Sequence, residues 1–458
     1  MKPTWYSAPR PSMIDHLLVV LFLLGIYLGI DARLPGGIPI PGIVAGAAGG
    51  LLLLKNAGRI AERHIVALTV ALVIFLLSAL TAPNYAYLGE RFKGFIQLSY
   101  SLTIAYAFFL AATRYDRQRL SRVFLWFCLL VLVGCALENF TTAFRNLSDA
   151  FRAQVFAQGV YVADVRDQLF YGRIRPKLFT SEPSAVTFAY TLFAFAWYVL
   201  AKARLKMFVY LGLLAAGYVL MRGPSLFLGI AAIPFYEVLL AARRGPPWAV
   251  RYNIPAAASA VAVAAVLSAA AVLAGEILYH ERISTILSGH DISFFSRIIA
   301  PLLTAISVVS DHPLGGAGLT GWEFIEPTVQ HIYANAPALA SNYKFGSAAE
   351  SITNYFWLHW IFLGLFWGTL VMIALSGFLR SLGAPSLLFC WAVWVVFGQS
   401  SGGYVDPRTW IVLLLACTVS VIYEREARAA DAGRIPRSPR FFPQPVREAR
   451  RRLIMAAQ

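Results

Sequence analysis

Residues 291–318 read DISFFSRIIAPLLTAISVVSDHPLGGAG, a helix with its stop signal attached. From Ser296 onward the apolar residues fall at Ile298, Ile299, Leu302, Leu303, Ile306 and Val309, the spacing of one helical face. Asp311, His312 and Pro313, then Gly315 and Gly316, end it, because proline and glycine punctuate helices. Arg297 falls in the first turn predicted for this helix, where the dipole disfavours a cation. Two readings stay open for it. It is a snorkelling anchor for a helix lying on a membrane surface, or it is a clamp for an anion.

The rest of the chain supplies the setting. Of 458 residues, 59% are hydrophobic and only 14% charged, which excludes an ordinary soluble domain. Several runs exceed the roughly 18 apolar residues that suggest a spanning helix, so the expectation is an all-α polytopic membrane protein. The net charge of +16 suggests nucleic acid at first sight, but most Lys and Arg fall in short loops between apolar runs, where they set topology. Cys128, Cys135, Cys390 and Cys417 all lie inside apolar segments and read as small core residues, with neither a disulfide framework nor a metal site. No small-residue cleavage site follows the first apolar run, so it reads as a retained span.

About twelve spans follow in order, at 14–30, 38–54, 65–81, 95–113, 123–138, 184–201, 207–221, 225–240, 254–275, 353–375, 387–397 and 410–423. Arg114, Arg117, Arg119 and Arg122 mark one cytoplasmic loop, and Lys202, Arg204 and Lys206 mark another. Segments assigned to the inside hold roughly 25 of the 39 Lys and Arg, so both termini are expected in the cytoplasm. Two long polar loops, 139–181 and 276–351, then face the other side. Residues 1–423 form a single membrane domain, and 424–458 form a basic cytoplasmic tail, expected to be disordered. Neither an internal repeat nor a pair of broken half-spans is visible, which weighs against a transporter.

The first long loop ends in YGRIRPKLFTSEPS (171–184), with Arg173, Arg175 and Lys177 just before the outer end of a span. Pro183 suits the first helical turn, and Ser181 or Glu182 its cap. Outer loops have no topogenic need for cations. Either this cluster meets lipid phosphates, or its forked arginines grip a ligand phosphate. Arg222, at the outer end of the seventh span, and Arg297 are placed to join them around a diphosphate. Glu182 and Glu350 sit at membrane boundaries, where a carboxylate has a raised pKa suited to general-base work; a helix cap or a salt bridge is the alternative for each. His312 reads as a turn residue, and His331 and His359 carry little signal. Metal-ligand spacing and Walker or dinucleotide glycine patterns are absent from the sequence.

These motifs, in this order, resemble the O-antigen ligase and polymerase superfamily. Arg173-x-Arg175-x-x-x-Phe179 with Glu182-Pro183-Ser184 resembles its pattern before a mid-chain span. Met221-Arg222-Gly223 resembles its Ser-Arg-Gly. Ser296-Arg297 followed by His312-Pro313-Leu314-Gly315-Gly316-Ala317-Gly318 resembles its Arg-led helix closing on Pro-Leu-x-Gly-x-Gly. Asn354-Tyr355-Phe356 with Gly364-Leu365 and Gly368 resembles its Asn-x-x-Leu…Gly-Leu-x-Gly. The likeness runs from the sixth span to the tenth.

The resemblance implies a GT-C-like membrane glycosyltransferase of the bacterial inner membrane, with its site facing the periplasm. It would work without metal or other cofactor, moving a glycan off undecaprenyl diphosphate. By match, Arg173 or Arg175, Arg222 and Arg297 hold the diphosphate, with Lys177 beside them; Glu182 or Glu350, from its place at a membrane boundary, is the expected base. Tyr161, Tyr171, Trp322, Tyr333 and Asn354 are candidates for sugar contact, with an interfacial aromatic belt as the alternative for the rings. Ligases place a His just before the Asn of the last motif; here that position is Thr353, which tilts the reading toward a repeat-unit polymerase for exopolysaccharide, capsule or O-antigen. The rivals are a ligase acting on lipid A-core and a lipid-linked oligosaccharide flippase. The partners implied are the lipid-linked oligosaccharide, the bilayer and a chain-length regulator, with no nucleic acid.

Overall fold

The computed structural model describes residues 11–33, 39–156, 161, 164–244, 251–252, 290–336 and 346–431, together with residues 258, 262, 284 and 288. The fold is all-α, about 78% helical. In chain order the helices are α1 (Met13–Leu28), α2 (Ile43–Lys55), α3 (Glu62–Thr81), α4 (Leu88–Ala112), α5 (Arg117–Phe140), α6 (Thr142–Val155), α7 (Asp164–Tyr171), α8 (Pro183–Leu200) and α9 (Lys206–Met221). They continue as α10 (Leu226–Tyr236, prolonged by a π turn), α11 (Ile292–Asp311), α12 (Trp322–Ala334), α13 (Ala348–Ser351), α14 (Tyr355–Ser381), α15 (Leu387–Gly398) and α16 (Pro407–Asp431). Among the described residues, Ala32–Arg33 pairs antiparallel with Pro39–Ile40, and Arg243–Arg244 with Arg251–Tyr252.

Among the described residues, six helices are long and apolar enough to cross a membrane: α3, α4 with the turn before it, α5, α8, α11 and α14. Helices α1, α2, α9, α10 and α15 are apolar but shorter. Apart from residues 258 and 262, the span expected at 254–275 lies outside the described residues, as do most of 276–289 and all of 432–458. Helix α16 runs on through Asp431, so the first residues of the expected tail are helical.

Side chains at the helix ends fix how these elements alternate. Lys55 and Arg114 both reach Asp15, at 3.2 and 2.9 Å, joining the start of α1 to the ends of α2 and α4. Arg117 donates to Leu200 O at 2.6 Å and to Glu426 at 3.3 Å, adding the ends of α8 and α16. This is the basic end. At the far end, Arg408 donates to Ile26 O and Tyr27 O, at 3.0 and 3.1 Å, joining the start of α16 to the end of α1. The start of α1 thus lies with the ends of α2, α4, α8 and α16, and the end of α1 with the start of α16, an arrangement that agrees with the loop charges. Helix α8 is the axis of the bundle. It is apolar all round and buried at every residue from Ala185 to Leu200, as a helix with no polar stripe must be.

Helix α14 departs from expectation, for it is broken. Gly364 has φ 65 and ψ −173, and the segment after α11 enters the gap. Ala317 N donates to Ile361 O and Gly318 N to Phe362 O, both at 2.8 Å. Leu365 N donates to Pro313 O at 2.8 Å, and Trp367 N to Leu314 O at 3.4 Å. Backbone groups freed by the break thus find partners, as an apolar setting demands. The glycines are steric: a Cβ on Gly316 would lie 2.4 Å from Ile361 O, and one on Gly364 would lie 2.7 Å from Gly316 N. His359 bridges the gap, with Nε2 3.1 Å from Gly368 O and Nδ1 2.8 Å from the Tyr404 hydroxyl.

The same contacts locate α11. Its C-terminal loop meets α3 at Ala82, just past that helix's far end, 3.4 Å from a Cβ placed on Gly315. Near its start, Arg297 O accepts from Asn354 Nδ2 at 2.8 Å, and Asn354 also reaches Gln399 just past α15. Both ends of α11 therefore lie at the far end. It has the length of a span, yet it lies over the bundle.

Candidate functional site

The first long loop is not irregular: α6 and α7 lie within it, and Arg152 gathers its strands. Arg152 is buried and donates to Thr180 O (2.8 Å), Tyr161 O (3.2 Å) and Ser181 O (3.1 Å), while pairing with Asp149 at 2.7 Å. Arg175 is buried against Asp167 at 2.9 Å, donates to the Tyr161 hydroxyl oxygen at 3.0 Å, and lies 4.3 Å over the Tyr171 ring. Lys177 is buried and meets Asp164 at 2.8 Å. These two cations are neutralised by the loop's own aspartates, so a phosphate would have to displace a carboxylate to reach them.

Arg173 and Arg222 are held differently. Arg173 donates to Val219 O in the last turn of α9, and Arg222, just past that turn, donates to Tyr171 O at the end of α7. The two side chains cross, each gripping a carbonyl beside the other's backbone. Arg222 sits at φ 50, a left-handed cap that α9 needs in order to turn at Gly223. That turn is tight: a Cβ on Gly223 would lie 2.3 Å from Thr187 of α8.

Between Lys177 and α8 the chain takes a strained turn. Leu178 and Phe179 have φ of 35 and 63, a region that costs a non-glycine residue on the order of 1–3 kcal/mol. Four side chains hold it. The Glu138 carboxylate accepts from Lys177 N at 2.9 Å and Leu178 N at 2.7 Å. Ser148 Oγ accepts from Phe179 N at 3.1 Å, Tyr27 donates to Leu178 O at 2.8 Å, and Thr180 Oγ1 donates to Glu182 O at 2.9 Å. Glu182 is then the N-cap residue of α8 with Pro183 in its first turn, and its exposed carboxylate accepts from Ser184.

The second part of the site lies where three segments meet. Arg297 sits in a π turn, Phe295–Ile299, within α11. The helix begins at Ile292, capped by Asp291, whose Oδ1 accepts from Phe294 N at 2.7 Å. Arg297 is therefore in the second turn, not the first, and the π bulge is of the kind found at functional sites. Asn354, fully buried, binds Arg297 O, reaches Gln399 Oε1 at 3.1 Å and caps α14 through Trp357 N at 3.2 Å. Thr353 N donates to Ser296 O at 3.4 Å. Glu350 is exposed on α13.

The two parts are contiguous across α8 and α15, whose Phe188 and Phe397 rings are 5.8 Å apart. Arg173, Arg222, Glu182, Asn354 and Arg297 thus share the far end. The aromatic candidates divide. Tyr171 and Tyr333 are buried, Tyr333 donating to Ser351 O at 2.7 Å, so neither offers a ring face to a sugar; Trp322 is partly exposed and meets Phe362 edge-on at 5.0 Å. Asp406 caps α16 at the same end; burial holds its carboxyl above the usual range, against the pull of the Arg408 charge and amide. Among the described residues no group of three His, Cys, Asp or Glu is placed to hold a metal. All four cysteines are free and buried.

Glu138, Arg152, Gln399 and the three aspartates of the first loop were not singled out from sequence. Only the Asp149–Arg152 spacing, one helical turn apart, gave a local signal. No family model matches the chain, and no curated protein matches it.

Proposed function

We propose that this chain is a bacterial inner-membrane polysaccharide polymerase, adding lipid-linked repeat units at the periplasmic face. One observation carries the reading. Arg173 and Arg222 cross one another, and Arg297 stands on a neighbouring segment, at the end opposite the arginine-rich loops, where topology asks for no positive charge. Forked guanidinium groups suit a diphosphate, and fixed cations stabilise the charge that it gains as its bond to the sugar breaks. An acceptor hydroxyl attacks the anomeric carbon of the donor glycan, the carbon–oxygen bond to the diphosphate breaks, and the diphosphate keeps the electron pair. The proton passes to Glu182 or Glu350, exposed carboxylates that stand just before α8 and α14. Arg175 and Lys177 support the loop, and Trp322 is the aromatic left open to a sugar. Thr353, where the ligases have histidine, favours the polymerase over transfer to lipid A-core. The break in α14 is filled by the chain's own 313–318 segment, which takes backbone groups there that a transported ion would need, and this weighs against a flippase.

The test uses purified chain in nanodiscs, given only an undecaprenyl-diphosphate repeat unit, with products followed by mass spectrometry. A ladder of longer lipid-linked glycans is expected. Arg297→Ala and Arg222→Ala are expected to lower its rate by about 100- to 1,000-fold each. A product formed only when lipid A-core is supplied identifies a ligase, and no product in either assay overturns the transferase reading.

A further inference from the structure

Glu138 is a buried carboxylate whose two oxygens take two consecutive backbone amides, those of Lys177 and Leu178. It is one of several restraints on one turn, and they come from different elements. Tyr27 reaches the turn from α1, Glu138 from α5 and Ser148 from α6. A turn with two successive left-handed non-glycine residues persists only where its surroundings over-determine it. What leaves the turn on either side matters for the site. Upstream is the strand carrying Arg173, whose guanidinium crosses that of Arg222. Downstream, Thr180 passes the turn's position to the backbone of Glu182, through Lys177 O and Glu182 O at 2.7 and 2.9 Å.

We propose that Glu138 is a positioning residue, with Ser148 and Tyr27 as its auxiliaries: by holding the Leu178-Phe179 turn, it sets where the Arg173–Arg222 pair and Glu182 face the substrate. This rests on the reading that the arginine pair receives a diphosphate. The bonds that Glu138, Ser148 and Tyr27 make to the turn all end on its backbone rather than on Arg173 or Arg222, so losing one of them acts through the turn. Misplacing a binding group by about an ångström is enough to cost a hundredfold.

The probe is inorganic pyrophosphate, titrated calorimetrically into the full chain in nanodiscs, beside the KM for the lipid-linked repeat unit. Glu138→Gln, Ser148→Ala and Tyr27→Phe each delete hydrogen bonding to the turn. Thr418→Val, which removes a buried hydroxyl bond to Leu414 O within α16, is the control for a merely structural loss. The turn variants are expected to weaken pyrophosphate by about 10- to 100-fold and to raise KM more than they lower kcat. They should do so at melting temperatures matching the Thr418→Val control, which binds as wild type. Should Glu138→Gln fail to fold, the two milder variants carry the test. If they bind pyrophosphate as wild type while Arg222→Ala does not, the positioning role is wrong and the diphosphate reading stands. If Arg222→Ala itself binds as wild type, the diphosphate reading falls, and the proposal falls with it.

Discussion

Asn354 shows how one side chain fixes the site. Its amide nitrogen donates to Arg297 O and Gln399 Oε1, and its oxygen caps α14, so an isosteric change separates these jobs. Aspartate at 354 would cap at least as well. It would also set a carboxylate against two acceptors in a buried position and lose both donors. Asn354→Asp is expected to destabilise the protein by about 2–3 kcal/mol and to abolish product, despite the better cap. Thermal unfolding in detergent, followed by tryptophan fluorescence, measures it; a variant as stable as wild type would show that the three-segment junction is not held this way. The helical periodicity and its stop signal drew attention to Arg297, and the resemblance of the Asn354-Tyr355-Phe356 motif drew attention to Asn354. Neither could name Gln399 or Glu138. Their partners lie 45 and about 40 residues away along the chain, and nothing local marks a contact of that kind.

At the scale of elements, hydropathy recovered most helices within a few residues, because an apolar run must form its hydrogen bonds internally wherever water is excluded. It missed the break in α14 for the same reason: summed hydropathy counts apolar side chains and is blind to φ. Two glycines of that helix make the distinction testable. Gly364 is left-handed and in backbone contact with 313–316, whereas nothing lies within 4 Å of a Cβ added to Gly377. Gly364→Ala is therefore expected to cost several kcal/mol, since strain, steric clash and loss of the inserted loop coincide. Gly377→Ala, in ordinary helix, should be neutral or stabilising by up to about 1 kcal/mol. Equal unfolding temperatures for the two would mean that the loop does not occupy the break. The helix expected from Ser296 onward is legible from its apolar spacing and its stop signal, but it begins earlier, at Ile292, because its cap Asp291 lies before the apolar periodicity begins.

For the whole molecule, the charge asymmetry read from loops and the alternation read from contacts are independent, since side-chain contacts between helix ends owe nothing to any count of Lys and Arg. They agree on which helix ends lie together, and the remaining question is which end faces the cytoplasm. Lysine and arginine bias sets orientation during insertion, so the end with Arg114, Arg117, Arg119 and Arg122 is expected inside. The four native cysteines are buried and free, so the chain is a ready background for single introduced thiols. Asn146, exposed on α6, marks the far end, and Gln118, exposed at the start of α5, marks the basic end. A membrane-impermeant maleimide added to spheroplasts should label Asn146→Cys at once and Gln118→Cys only after lysis. The reverse pattern would put the arginine cluster of the site in the cytoplasm, where lipid-linked repeat units are assembled rather than joined, and the polymerase reading would fail with the orientation. Labelling of both before lysis would mean that the bundle does not span the membrane, whatever the hydropathy of its helices.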